Sequence, residues 1–318
     1  MNQSDSPSFE LPVAQIWREA YGFVFSVPMR VLIAALVPFG FYFVISAAIQ
    51  LSFLNEASIA FYSSLATMEE TTEPGLETLS LFMEATSTFF LWIAVLMVFG
   101  GLAGASMAAA WHRTTLIGLD ADRTGFGLFL GAAEFRYFLR AFLMVLITVA
   151  VLFAYALVAS IAFGILLMVV AVVAGAAMDA LAIILMAPLF GGGVLLGLYI
   201  WSKLIMSLPA AALGINSFGF GQAWSATRGH VGRLMMTYAG LMLPMFFVSL
   251  GVSWVLELAM GLPSDPSEIS QATLTNSVLI SLVPNFVVTA FSTALVASGM
   301  SYTYYRLGQP PVWVEKVF

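Results

Sequence analysis

No cysteine occurs in the 318 residues, only two histidines are present, and 9% of the residues are charged. The first absence excludes disulfides, thiolate metal sites and cysteine nucleophiles, while leaving the compartment open. The second leaves little material for acid–base or metal chemistry. The third excludes an ordinary soluble domain, in which about a quarter of residues are charged. A basic start followed by a short apolar run is also missing. The chain opens MNQSDSPSFELPVAQ with Asp5 and Glu10, so the first apolar segment is expected to belong to the mature protein. With a net charge of −6, no nucleic-acid partner is expected.

What is present is apolar sequence: 61% hydrophobic residues and a mean hydropathy of +0.99. A helix needs about 20 apolar residues to cross about 30 Å of hydrocarbon. Six segments meet that length, at 31–54, 88–111, 141–173, 181–203, 234–256 and 277–304. The expected fold is therefore an all-α integral membrane protein forming one polytopic domain over 1–318. Residues 1–30 would form a cytoplasmic segment with an interfacial helix, 31–304 the six spans and 305–318 a cytoplasmic tail.

The stretch 141–203 is long enough for three short crossings, and charge decides against that count. With two crossings there and the N terminus inside, all eleven basic residues fall inside: Arg18, Arg30, Arg113, Arg123, Arg136, Arg140, Lys203, Arg228, Arg233, Arg306 and Lys316. The outer loops then hold Glu56, Glu69, Glu70, Glu73, Glu77, Glu84, Asp179, Glu257, Asp265 and Glu268. A third crossing would put Lys203, Arg228 and Arg233 outside, against the positive-inside rule. Both termini are thus expected in the cytoplasm.

Each pair of spans follows a short amphipathic stretch, which suggests three repeated units of interfacial helix, span, loop and span. Before span 1, Val13, Ile16, Trp17, Ala20 and Val24 recur at helical spacing, and Pro12 suits a first turn. Before span 3, Phe126, Phe129, Ala133 and Tyr137 share one side. Before span 5, Phe220, Ala223, Trp224, Thr227 and Val231 do so, with Asn216 or Ser217 as the expected cap. The tetrads AQIW and GQAW precede Pro38 and Pro244 at similar distances, and spans 2 and 4 end alike in WHR and WSK. Repeats of this kind can frame a central site, although duplication without a site is the commoner expectation.

Three sites are candidates. Arg136, Arg140, Arg228 and Arg233, with Trp17 and Trp224 at headgroup depth, could hold an anionic phospholipid of the inner leaflet, because guanidinium forks match phosphate geometry. Topology alone would also account for their charge. Pro188 before Gly191, Gly192 and Gly193 in span 4, and Pro284 with Asn285 in span 6, could interrupt helices and expose backbone to a transported solute. No Asp, Glu, Lys, Arg or His lies near the middle of any expected span, so a proton-coupled carrier lacks a residue. Gly100 and Gly104 read as close helix packing. Finally, His112 with Arg113, Asp120 and Asp122 could bind a cation or phosphate, but the spacing fits no zinc or EF-hand pattern and a solvated turn explains it better. No catalytic constellation, cofactor or metal is expected. The outer loop 55–87, with six glutamates and no basic residue, reads as two helical pieces broken at TEPG, 72–75.

The segments AWSATRGHVGRL, before span 5, and WSKLIMSLPAAALG, at the end of span 4, resemble those of bacterial multi-pass membrane proteins related to the membrane domain fused to some glycerophosphodiester phosphodiesterases. The likeness covers mainly residues 201–240. It implies an inner-membrane location and an association with lipid; it does not imply phosphodiesterase activity, because no acidic metal cluster is evident. The six-span layout also resembles permease subunits of ATP-driven importers, but LGAAEFRYF and LPAAALGINSFGFG carry their docking wording in the wrong order. The leading expectation is a non-enzymatic protein that binds or organises anionic lipid or a membrane partner through its cytoplasmic face; the alternative is a small-molecule channel or transporter.

Overall fold

The computed structural model describes residues 11–70, 75–118, 131–174, 178–260 and 271–307. Asp5, Glu10, Glu73, Asp120, Asp122, Arg123, Phe126, Phe129, Asp265, Glu268 and Lys316 lie outside them. Among the described residues the elements are α1 (Val13–Ser26), α2 (Pro28–Ile49), a π-helical turn (Gln50–Leu54), α3 (Asn55–Glu70), α4 (Leu76–Ile117), α5 (Ala132–Ala174), α6 (Met178–Leu204), α7 (Ser207–Ala212), α8 (Phe220–Ala226), α9 (Val231–Met260) and α10 (Gln271–Arg306). No strand occurs among them. Six helices are long and apolar enough to cross a membrane: Pro28–Leu65, Leu76–Ile117, Ala132–Met168, Pro188–Ala212, Val231–Met260 and Thr275–Arg306. The chain is a multi-pass, all-α membrane protein.

Several helices overshoot the bilayer. The 42 residues of α4 rise about 63 Å at 1.5 Å each, twice the hydrocarbon thickness. Because nothing breaks the helix between Pro28 and Glu70, α2 runs through the π turn into α3, and α3 pairs with the start of α4 as a hairpin carrying Glu56, Glu77 and Glu84. Phe53 stacks on Trp92 at 4.4 Å and Phe61 on Phe89 at 4.9 Å to hold its two arms together. The acidic loop is therefore a helical extension of spans 1 and 2.

The opposite end carries the basic residues and most of the packed core. Hydrocarbon gives helices no hydrophobic reason to associate, so close packing and polar contacts must do it. On α10 the small buried residues Ala290, Ala294, Ala297, Ser298 and Ser301 let α1, α4 and α9 approach. Leu241 of α9 fills the space beside Gly299, and the Trp17 ring lies against Gly240.

A threefold repeat of interfacial helices is not shown among the described residues. The face of α1 is as its spacing predicts, with Ile16, Ala20 and Val24 fully buried, but it is wedged between α9 and α10. The second unit has no separate helix among the described residues, since α5 runs unbroken from Ala132. The third, α8, is seven residues long and starts after Gly219, whose N–H donates to the Gln222 side chain at 3.0 Å. Neither Asn216 nor Ser217 caps it. Gly229, with φ of +79°, then turns the chain into α9 in a conformation that costs other residues about 1–2 kcal/mol.

Candidate functional site

At the basic end α4 and α10 are joined by uncharged polar contacts. The Trp111 indole N–H donates to Ser298 Oγ at 2.8 Å, and His112 Nδ1 lies 2.8 Å from Ser301 Oγ while its Nε2 lies 3.2 Å from the Tyr137 hydroxyl. His112 is wholly buried. It is therefore not in the solvated turn expected, and both ring nitrogens are committed to the fold. Arg113 is committed too: it donates to Glu134 at 2.6 Å and to the Ala212 carbonyl at 3.3 Å. No group of three metal-binding side chains occurs among the described residues.

The six residues considered for a headgroup site divide into three places. Arg140 forks onto the turn that carries α7, donating to the carbonyls of Ser207 at 3.0 Å, Phe218 at 2.8 Å and Ile215 at 3.4 Å. Arg136 donates to the Asn216 side chain at 2.7 Å and to the Ala132 carbonyl at 2.9 Å. These two arginines serve as braces, because segment 205–219 leaves carbonyls without helical partners. Trp17 and Arg233 lie at the α1–α9 seam, where the indole donates to the Thr237 carbonyl at 3.0 Å and Arg233 to the Leu11 carbonyl at 3.4 Å.

Trp224 and Arg228 form the third place, with a residue read from sequence only as a topology signal. Lys203, at the end of α6, sets its ammonium over the Trp224 ring at 5.1 Å and the Tyr199 ring at 5.9 Å and donates to the Trp224 carbonyl at 3.4 Å. The two rings meet edge to face at 5.9 Å. Trp224 is 37% exposed, and Arg228 is exposed, its guanidinium making no hydrogen bond or ion pair among the described residues. A bound anion would offset the like charges of Lys203 and Arg228, and the aromatic pair has the amphipathic character of side chains at headgroup depth. Only the fourfold spacing of Tyr199 and Lys203 hinted at this cluster in the sequence.

The transport residues are not brought together. Helix α6 passes unbroken through Pro188, and Gly192 and Gly193 give room to the Tyr155 ring, whose hydroxyl donates to the Leu189 carbonyl at 2.8 Å. Gly191 has no such neighbour. Gly193 lines an apolar groove of about 800 Å3 between α5 and α6. Helix α10 likewise continues through Pro284, and Asn285 lines a different, more polar cavity of about 430 Å3. The helices are not interrupted, because a proline inside a bundle removes one hydrogen bond while neighbouring groups keep the helix in place. Gly100 does pack closely, against Tyr42, whereas Gly104 faces open space.

No protein-family model, curated protein or solved structure matches this chain.

Proposed function

We propose that this protein is a non-enzymatic, bacterial inner-membrane protein, with both termini cytoplasmic, that binds anionic phospholipid at the inner leaflet. The observation that carries the reading is the Lys203, Trp224 and Arg228 cluster: a partnerless, exposed guanidinium beside an ammonium held on two aromatic rings. The nine basic residues among those described all lie at one end of the bundle, knit together by contacts such as Arg306 with Glu19 and Arg233 with Leu11. An end so charged is attracted to an anionic leaflet by about 1 kcal/mol for each exposed basic group. Arg136 and Arg140 brace the turn that carries α7, and Trp17 ties α1 to α9.

Electron spin resonance of chain-labelled lipids around the reconstituted protein tests it. The motionally restricted fraction should favour phosphatidylglycerol over phosphatidylcholine, and the preference should fall in Arg228→Gln and in Trp224→Ala. Equal restriction of the two lipids, or an unchanged preference in folded variants, would overturn the assignment.

A further inference from the structure

The cavity that contains Asn285 has the chemistry of a second, separate binding site. It lies between α2, α4, α9 and α10, and its polar side chains are Ser46, Gln50, Ser249, Ser281, Asn285 and Thr289. Gln50 opens the π-helical turn, a distortion frequent at functional sites. Its amide donates to Ser46 Oγ at 3.2 Å, and Ser281 donates to the Val278 carbonyl at 3.1 Å. The side chains of Ser249, Asn285 and Thr289 make no hydrogen bond among the described residues.

Asn285 stands about 20 Å along α10 from Ser298 at the basic end, which places it inside the hydrocarbon layer. A carboxamide and two hydroxyls converging there without partners are costly unless something polar meets them. Tyr42, Phe39 and Phe43 supply aromatic wall, and no ionisable Asp, Glu, Lys, Arg or His lines the space. Toward the basic end α10 continues through the buried Ala290, Ala294 and Leu295, and on the side of the acidic end the cavity is lined by Gln50 and Val278.

We propose that this cavity binds a small uncharged polyol entering from the acidic end of the bundle. Amides and hydroxyls that both donate and accept suit vicinal hydroxyl groups, the aromatic wall suits their carbon faces, and the volume of about 430 Å3 admits a molecule of monosaccharide size.

Because the chain has no cysteine, single cysteines can report on the cavity directly. The protein is reconstituted as Ser249→Cys, as Val283→Cys, which is 70% exposed on the outside of α10, and as Leu76→Cys on the acidic hairpin. A charged, membrane-impermeant methanethiosulfonate should label Ser249→Cys and Leu76→Cys but not Val283→Cys. Glycerol or sorbitol should slow labelling of Ser249→Cys about threefold at about twice its dissociation constant, without slowing Leu76→Cys. Adding Asn285→Leu to Ser249→Cys should abolish the protection. Absence of labelling at Ser249→Cys would show the cavity sealed to water and overturn the proposal. Labelling that neither polyol slows, or protection that survives Asn285→Leu, would overturn the ligand class. Neither readout depends on Arg228 or on lipid selectivity.

Discussion

Arg140 separates a brace from a lipid ligand. Its guanidinium reaches the carbonyls of Ser207 and Phe218 at 3.0 and 2.8 Å, with a longer third contact to Ile215. Hydrogen bonds from a charged donor contribute about 1.5–3 kcal/mol each when their loss strands a buried acceptor. Arg140 is only half-buried, so water recovers part of that, and Arg140→Leu should cost about 2–4 kcal/mol. Arg140→Lys keeps the charge but cannot span two carbonyls, and should cost about half as much. At roughly 2–3 °C per kcal/mol for a chain of this size, the leucine variant should melt about 4–12 °C below the parent in detergent. The lysine variant should fall between them. Tryptophan fluorescence during a thermal ramp reads this directly, since Trp201 and Trp224 flank the braced turn. If Arg140→Leu melted with the parent yet lost phosphatidylglycerol selectivity, the side chain would be facing headgroups and the bracing argument would be refuted.

Four further outcomes follow from the same geometry. Gly240→Ala puts a methyl group into the Trp17 ring; overpacking of this kind costs about 1–3 kcal/mol, and the variant should show a lowered melting temperature and a more quenchable Trp17. Glu134→Gln should cost about 2–3 kcal/mol, because it leaves Arg113 unpaired in a largely buried site. Arg306→Gln should cost under about 1 kcal/mol, since its pair with Glu19 is about a quarter exposed; equal melting losses in these two variants would contradict the burial difference. Tyr155→Ala should lower the melting temperature by opening the α5–α6 seam at Gly192 and Gly193, and unchanged melting would show that the seam is held elsewhere.

The sequence made legible whatever depends on local pattern. Six apolar runs and the one-sided placement of Lys and Arg gave the number of spans, because span length and basic charge are local quantities. The buried stripe Ile16, Ala20 and Val24 was readable from its 3.6-residue period. Its partner was not: Trp17 bonds to Thr237, 220 residues away. A period specifies a face without saying what covers it. His112 looked like a loop residue because the apolar run ends at Trp111, yet α4 continues to Ile117 and Ser301 comes to it from α10. Pro188 with three glycines reads as a broken helix because the filling side chain, Tyr155, comes from another helix, 34 residues before Leu189. The four arginines were indistinguishable by type, and only backbone carbonyls contributed by the turn around α7 separate braces from the exposed Arg228. Trp224 and Arg228 stand among the candidates that residue type alone can offer, whereas Lys203 joins them only through the approach of α8 to α6.

Native mass spectrometry of the protein in mild detergent, titrated with phosphatidylglycerol and with phosphatidylcholine of the same chain length, tests the proposed lipid site most directly. The parent should retain phosphatidylglycerol through collisional activation that strips phosphatidylcholine, and Arg228→Gln should lose that difference while keeping the parent's melting temperature. Retention that does not distinguish the two lipids, or that is the same in folded Arg228→Gln, would contradict it and leave Arg228 as a signal for membrane orientation alone.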